Sequence, residues 1–147
     1  NIFEVYSSAM NHKELIRIIA DLAKEGKVLD CELAIRKCKK DDVIREYGSP
    51  DEDTSSELEG RLVYSKKGLV FLYSKMTGDE ISEITKTNKA ITELTLKELK
   101  EELKSSLHVA EGLAWMPVGE HYFLFFGFEE APKDPQNPKI SKVHIMG

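Results

Sequence analysis

Two stretches of this chain read alike. Residues 39–50, KKDDVIREYGSP, carry Val43, Ile44 and Tyr47 at helical spacing; the apolar run Gly68–Tyr73 (GLVFLY) follows, and then Ile81-Ser82-Glu83-Ile84. Residues 95–103, TLKELKEEL, carry Leu96, Leu99 and Leu103 at the same spacing; Tyr122–Phe126 (YFLFF) follows, and then Ile140-Ser141-Lys142-Val143. A 3.6-residue period passing into short β-rich runs, twice over, describes a helix-plus-three-strand unit in tandem. Apolar faces on both kinds of element must pack against each other. The expected fold is therefore α+β: one antiparallel sheet of about six strands with its helices on one face.

Outward from the repeat, residues 12–25 show the stripe Leu15, Ile18, Ile19 and Leu22, an additional N-terminal helix. Asn11 or Ser8 can start it, and Gly26 is placed to end it in a left-handed conformation. Val28–Ile35 is a mixed connector. Repeat one spans about 39–87, its helix stopped by Gly48 and Pro50. Asp51–Glu59, acidic and rich in Ser and Thr, reads as a solvated loop. Strands follow at 61–65, 69–75 and 80–86, with turns at Lys66-Lys67-Gly68 and Thr77-Gly78-Asp79. Repeat two spans about 95–147; Thr95 and Glu98 form a capping box, and strands lie near 108–115, 120–128 and 139–145. Ala131–Pro138 holds three prolines and must be an extended loop.

The chain has 147 residues, a length usual for a single domain, 1–147, able to bury most of its unfolded surface. A 41% hydrophobic content argues for a globular chain, and a net charge of −5 argues against a nucleic-acid partner. No apolar run reaches the roughly 20 residues that a membrane-spanning helix needs. The chain begins with Asn1, which suggests a processed or truncated product.

The ordered motifs Ala23-Lys24-Glu25-Gly26-Lys27-Val28, Cys31-Glu32, Asp41-Asp42-Val43 and Tyr47-Gly48-Ser49-Pro50-Asp51 resemble the YjgB-like family of Gram-positive bacteria. Tyr64–Phe71 and the proline-rich loop with 139–145 extend the likeness from about Leu15 to the end. The resemblance implies an extracytoplasmic protein, secreted or lipid-anchored, with no assigned activity. The helix ending in Gly-x-Pro-Asp is also similar to the assembly lipoprotein BamE and to the tandem-repeat β-lactamase inhibitor protein. Those use such units for binding, so the likeness implies a protein-binding or inhibitor-like module. Lys104-Ser105-Ser106 stands where the second unit should repeat Gly-x-Pro.

Chemistry is harder to find. No Gly-x-Ser-x-Gly nucleophile turn and no phosphate-binding glycine loop occur. Cys31 has no His or Asn partner that spacing nominates. Glu80 with Glu83, or Asp41 with Asp42, could form acid/base pairs, but charges at turns and helix starts serve solubility and the helix dipole. Cys31 and Cys38 are either buried thiols or, in an oxidising compartment, a disulfide closing a short loop; alone they make no zinc site. The alternative to a binding module is a small metal-dependent hydrolase using His108, His121 and His144. The expectation is a non-enzyme without cofactor or metal.

Alternation divides the two apolar strands into faces. Val70, Leu72 and Ser74 with Phe123, Phe125 and Gly127 make one; Leu69, Phe71 and Tyr73 with Tyr122, Leu124 and Phe126 make the other. The first ends in small residues that admit a helix and is assigned to the helix layer. The second is assigned to open solvent as a docking surface, with Tyr73, Tyr122 and Phe126 as anchors, Phe71 and Leu124 as floor, and Trp115 overhanging one edge.

Overall fold

The structure, a computed structural model, describes residues 11–147. Helix α1 (His12–Lys24) opens it, capped by the Asn11 side chain, which accepts from the Glu14 N–H at 2.9 Å. Ser8, the other candidate start, lies outside the described residues. Unit one comprises α2 (Lys40–Tyr47), β1 (Glu52–Ser55), β2 (Glu59–Tyr64), β3 (Leu69–Ser74) and β4 (Glu80–Lys86). After the short helix α3 (Lys89–Thr92), unit two comprises α4 (Leu96–Leu103), β5 (His108–Ala110), β6 (Leu113–Val118), β7 (Tyr122–Phe128) and β8 (Ile140–Met146).

All pairings are antiparallel, and the strands form one 8-stranded sheet in the order β1-β2-β3-β4-β8-β7-β6-β5. Each unit is a meander, and the two meet through their last strands. The α+β reading with helices on one face holds, and each unit has one strand more than the pattern suggested. The acidic segment expected to be loop contains β1, which pairs with β2 while all four of its residues stay exposed. The run near 108–115 is two strands, because Glu111-Gly112, with Gly112 at φ 79°, reverses the chain between Ala110 and Leu113.

The two units repeat down to single hydrogen bonds. Lys39, just before α2, bridges to Glu80; Thr95, just before α4, bridges to Lys139. The flanking bonds match as well: Ile81 N–H to Cys38 and Lys40 N–H to Asp79 in the first, Ile140 N–H to Leu94 and Leu96 N–H to Pro138 in the second. The repeated Ile-Ser-x-Ile/Val motif is a bulge. The β3–β4 register passes from Leu72↔Glu83 to Tyr73↔Ile81, leaving Ser82 extra, and the β7–β8 register passes from Gly127↔Lys142 to Phe128↔Ile140, leaving Ser141 extra. Each serine hydroxyl donates across the ladder at 3.4 Å, to Leu72 and Phe128 respectively. The bulge shifts alternation by one residue, so both the first and fourth positions of each motif face the core.

The core lies between the sheet and a layer made of α1, α2, α3, α4 and the buried connector 26–38. Its sheet side is Leu62, Leu69, Phe71, Tyr73, Ile81, Ile84, Ala114, Met116, Leu124, Phe126, Val143 and Ile145. Burying large side chains of this kind stabilises by roughly 1.5–3 kcal/mol each. Among the described residues no helix is long and apolar enough to cross a membrane.

Candidate functional site

The opposite sheet face carries no helix. Strand pairing aligns His108↔Trp115, Trp115↔Phe125, Phe125↔His144, His144↔Thr85 and Thr85↔Val70. Paired residues of neighbouring strands project from the same face, so these side chains form one row across six strands. Four of them make a continuous stack of rings. His108 lies on Trp115 with centroids 4.4 Å apart and planes at 19°, Trp115 on Phe125 at 6.4 Å, and Phe125 meets His144 at 5.9 Å. Phe123 abuts Trp115 at 6.2 Å and is 41% exposed.

Beyond His144 the face hollows into a concavity of about 440 Å³. Val70 and Leu72 line it together with Glu83, Thr85, His144, Arg61 and Lys142. The His144 Nδ1 lies 2.8 Å from the Glu83 carboxylate, both side chains being largely covered. This pair bridges β8 and β4, the seam between the two units. A paired carboxylate fixes the imidazole's orientation. The result is an apolar strip edged by oriented charges, an arrangement suited to recognition.

The predicted docking face is the reverse of the open one. Phe71, Tyr73, Leu124 and Phe126 are 0–2% exposed and form the core under the helices; Tyr122, half-buried, packs on the same side, its ring close to Gly26 at the end of α1. Of the six proposed residues only Trp115 faces the open side. Ser74 and Gly127, expected to admit a helix, lie on the helix-free face, and on the helix side the small residue is Gly60. Gly60 leaves space on β2 for the Tyr73 ring, which lies where a Cβ at position 60 would stand, 1.9 Å away. Lys40 then covers that ring, its Nζ 5.1 Å from the centroid. Phe123 and Phe125, expected under the helices, and His108 and His144, expected only as metal ligands, make up the open face. The signal that identifies their face is in the partner strands: β4 and β8 present Glu83, Thr85, Lys142 and His144 on one side and, apart from Lys86 at the end of β4, isoleucine or valine on the other.

The three histidines of the hydrolase reading do not converge. His108 and His144 are separated by β6 and β7, roughly 14 Å at ordinary strand spacing. His121 is exposed beside β7, 3.8 Å from Glu120. Among the described residues no three His, Cys, Asp or Glu side chains gather around a metal-sized gap.

The disulfide reading is also corrected: Cys31 and Cys38 are free, buried thiols. Cys38 donates to the Ala34 carbonyl at 3.2 Å and Cys31 to the Leu33 carbonyl at 3.5 Å, while the Tyr47 hydroxyl donates to the Cys31 sulfur at 3.4 Å. The connector satisfies each thiol locally instead of joining them. Burial pushes both thiols up, Cys38 to about 12, so neither is a ready nucleophile at neutral pH.

A family model described as "Domain of unknown function (DUF4309)" matches residues 16–146. No significant match exists among curated proteins. Among solved structures, the chain is similar to YjgB, a DUF4309 family protein of Bacillus subtilis subsp. subtilis str. 168. The TM-score is 0.66 at 16% identity, covering 92% of this chain and 97% of that one. It also matches a cysteine-rich secretory protein (SAV1118) of Staphylococcus aureus subsp. aureus Mu50, with a TM-score of 0.47 and 12% identity over 76% of this chain and 44% of that one.

Proposed function

The chain belongs to the DUF4309 family, and on that premise we propose that it is a non-catalytic protein-binding module working outside the cytoplasm. The observation that supports this reading is the ring row His108, Trp115, Phe125 and His144 on the helix-free face, with Phe123 exposed beside it. Aromatic side chains that are half-buried before binding offer large area at low entropic cost, and they concentrate binding energy where a partner desolvates them. The Glu83–His144 pair, Arg61 and Lys142 supply the polar rim that orients such a partner. The extracytoplasmic setting rests on the resemblance stated above, and fractionation of the host cell tests it.

Trp115→Ala and Phe123→Ala test the docking face. Each removes exposed or half-exposed area, so melting shifts modestly, whereas a partner cross-linked from the native cell envelope binds at least about tenfold more weakly. Unchanged affinity in both variants rejects this face as the docking surface. Enrichment of zinc in the purified protein, lost on His144→Ala, would favour the hydrolase reading instead.

A further inference from the structure

Where β2 turns into β3 and β4 runs towards α3, lysines gather around an open cavity of about 510 Å³. Lys66 and Lys67 come from the turn, Lys86 from the end of β4 and Lys89 from the start of α3; Asp30 is the one carboxylate in the lining. In a chain of net charge −5 this is a local reversal of sign. The cavity adjoins the open-face concavity, since Ser65, Gly68 and Thr87 line both.

Lys86 is the decisive residue. It is 3% exposed, its ammonium donates to the Lys67 carbonyl at 2.5 Å, and among the described residues it has no carboxylate ion pair. A buried ammonium with no carboxylate in ion-pair contact is costly, and a further group that brings negative charge relieves that cost. Burial pulls its pKa below the ordinary lysine value, with Asp30 opposing only in part. Asn88 adds a second incomplete group. Its Oδ1 accepts from the Ile91 N–H at 2.8 Å, which fixes the amide's orientation and leaves Nδ2 buried with no partner among the described residues.

We propose that this cavity binds a phosphate-class anion carried on a larger molecule, with Lys86 and Asn88 as inner donors and Lys66, Lys67 and Lys89 as the charged rim. Several ammonium point charges, with no arginine fork to select a planar carboxylate, suit a tetrahedral group bearing up to two charges. The volume exceeds that of a single phosphate and leaves space for its carrier. This site does not rest on the docking reading of the sheet face, and either stands without the other.

Titration with inorganic phosphate and phenyl phosphate, followed by amide NMR at constant ionic strength, tests the proposal, with acetate as the carboxylate probe. Saturable shifts centred on Gly68, Thr87 and Asn88 are expected for both phosphates and not for acetate. Phosphate stabilises most proteins weakly by exclusion, so the comparison with variants carries the test. Lys86→Met should melt no lower than wild type in phosphate-free buffer and should bind phosphate at least tenfold more weakly. Should Lys86→Met not fold, Lys66→Gln/Lys89→Gln, which alters only exposed side chains, decides by the same loss of affinity. Non-saturating shifts in the wild type, an equal response to acetate, or a variant that keeps wild-type affinity overturns the proposal.

Discussion

The Cys38 thiol shows how a residue's surroundings become measurable. Burial first, then the Asp42 charge, raises its pKa from the ordinary 9.0 to about 12, so the folded chain holds a proton that the unfolded chain loses. Its contribution is complete below pH 9 and declines as pH rises towards 12, by up to about 1.4 kcal/mol per unit. Lys86, shifted the opposite way, raises stability with pH below 10.5, so wild type must be compared with Cys38→Ala at each pH. Urea denaturation at pH 8.5 and 10.5 should show the wild type losing ground to Cys38→Ala at the higher pH, and neither native thiol should react quickly with a disulfide reagent at pH 8. Lys104 offers a second test. It ends α4 at φ 51°, where its counterpart Gly48 ends α2 at φ 81°, so the second unit kept the turn and lost the glycine. Lys104→Gly should relieve about 1 kcal/mol of strain and raise the melting temperature by roughly 2–4 °C.

At the scale of elements, the helices depend on their starts. Thr95 and Glu98 form the reciprocal box anticipated from the sequence: the Thr95 hydroxyl accepts the Glu98 N–H at 3.3 Å, and the Glu98 carboxylate accepts the Thr95 N–H at 3.1 Å. The same carboxylate lies 2.6 Å from His12 Nδ1, so the start of α4 also ties down α1. Thr95→Ala should cost about 1 kcal/mol by thermal or urea denaturation. Glu98→Ala should cost more, since it removes both the cap and the link between helices; a smaller loss than Thr95→Ala would refute that coupling. The turns obeyed the sequence as well. Gly26, Gly68 and Gly78 all have positive φ, and at Gly68 a Cβ would stand 2.0 Å from the Thr87 carbonyl oxygen.

Across the whole molecule, β4 and β8 join the two meanders into one sheet, and the Glu83–His144 pair spans that seam. The connector 26–38 and α1 belong to the same core as both units. Neither unit closes a core by itself, so unfolding should be a single cooperative transition. Trp115 fluorescence reports on unit two and far-ultraviolet circular dichroism on the whole chain; their denaturation curves should coincide. Separate midpoints would show that the units unfold independently.

The sequence by itself determined the tandem repeat, the helix starts and stops, the glycine turns and the α+β class, because capping, turn chemistry and periodicity are local. It grouped Phe71 and Tyr73 with Leu124 and Phe126 on one face, although the bulges make Phe71 the counterpart of Phe126 and Tyr73 that of Phe128. It could not decide which side of the sheet the helices would cover. Strands β3 and β7 are apolar on both faces, and the Ser82 and Ser141 bulges break the simple alternation that would have carried the answer across from β4 and β8. Only tertiary packing settled it: Tyr73 seats its ring over Gly60 beneath Lys40, and the polar sides of β4 and β8 turn outward, leaving Trp115, Phe123 and Phe125 on the open face. The lysine cavity is tertiary for the same reason, since Asp30, Lys67, Lys86 and Lys89 come from separate segments that meet only when the sheet and helix layer are assembled.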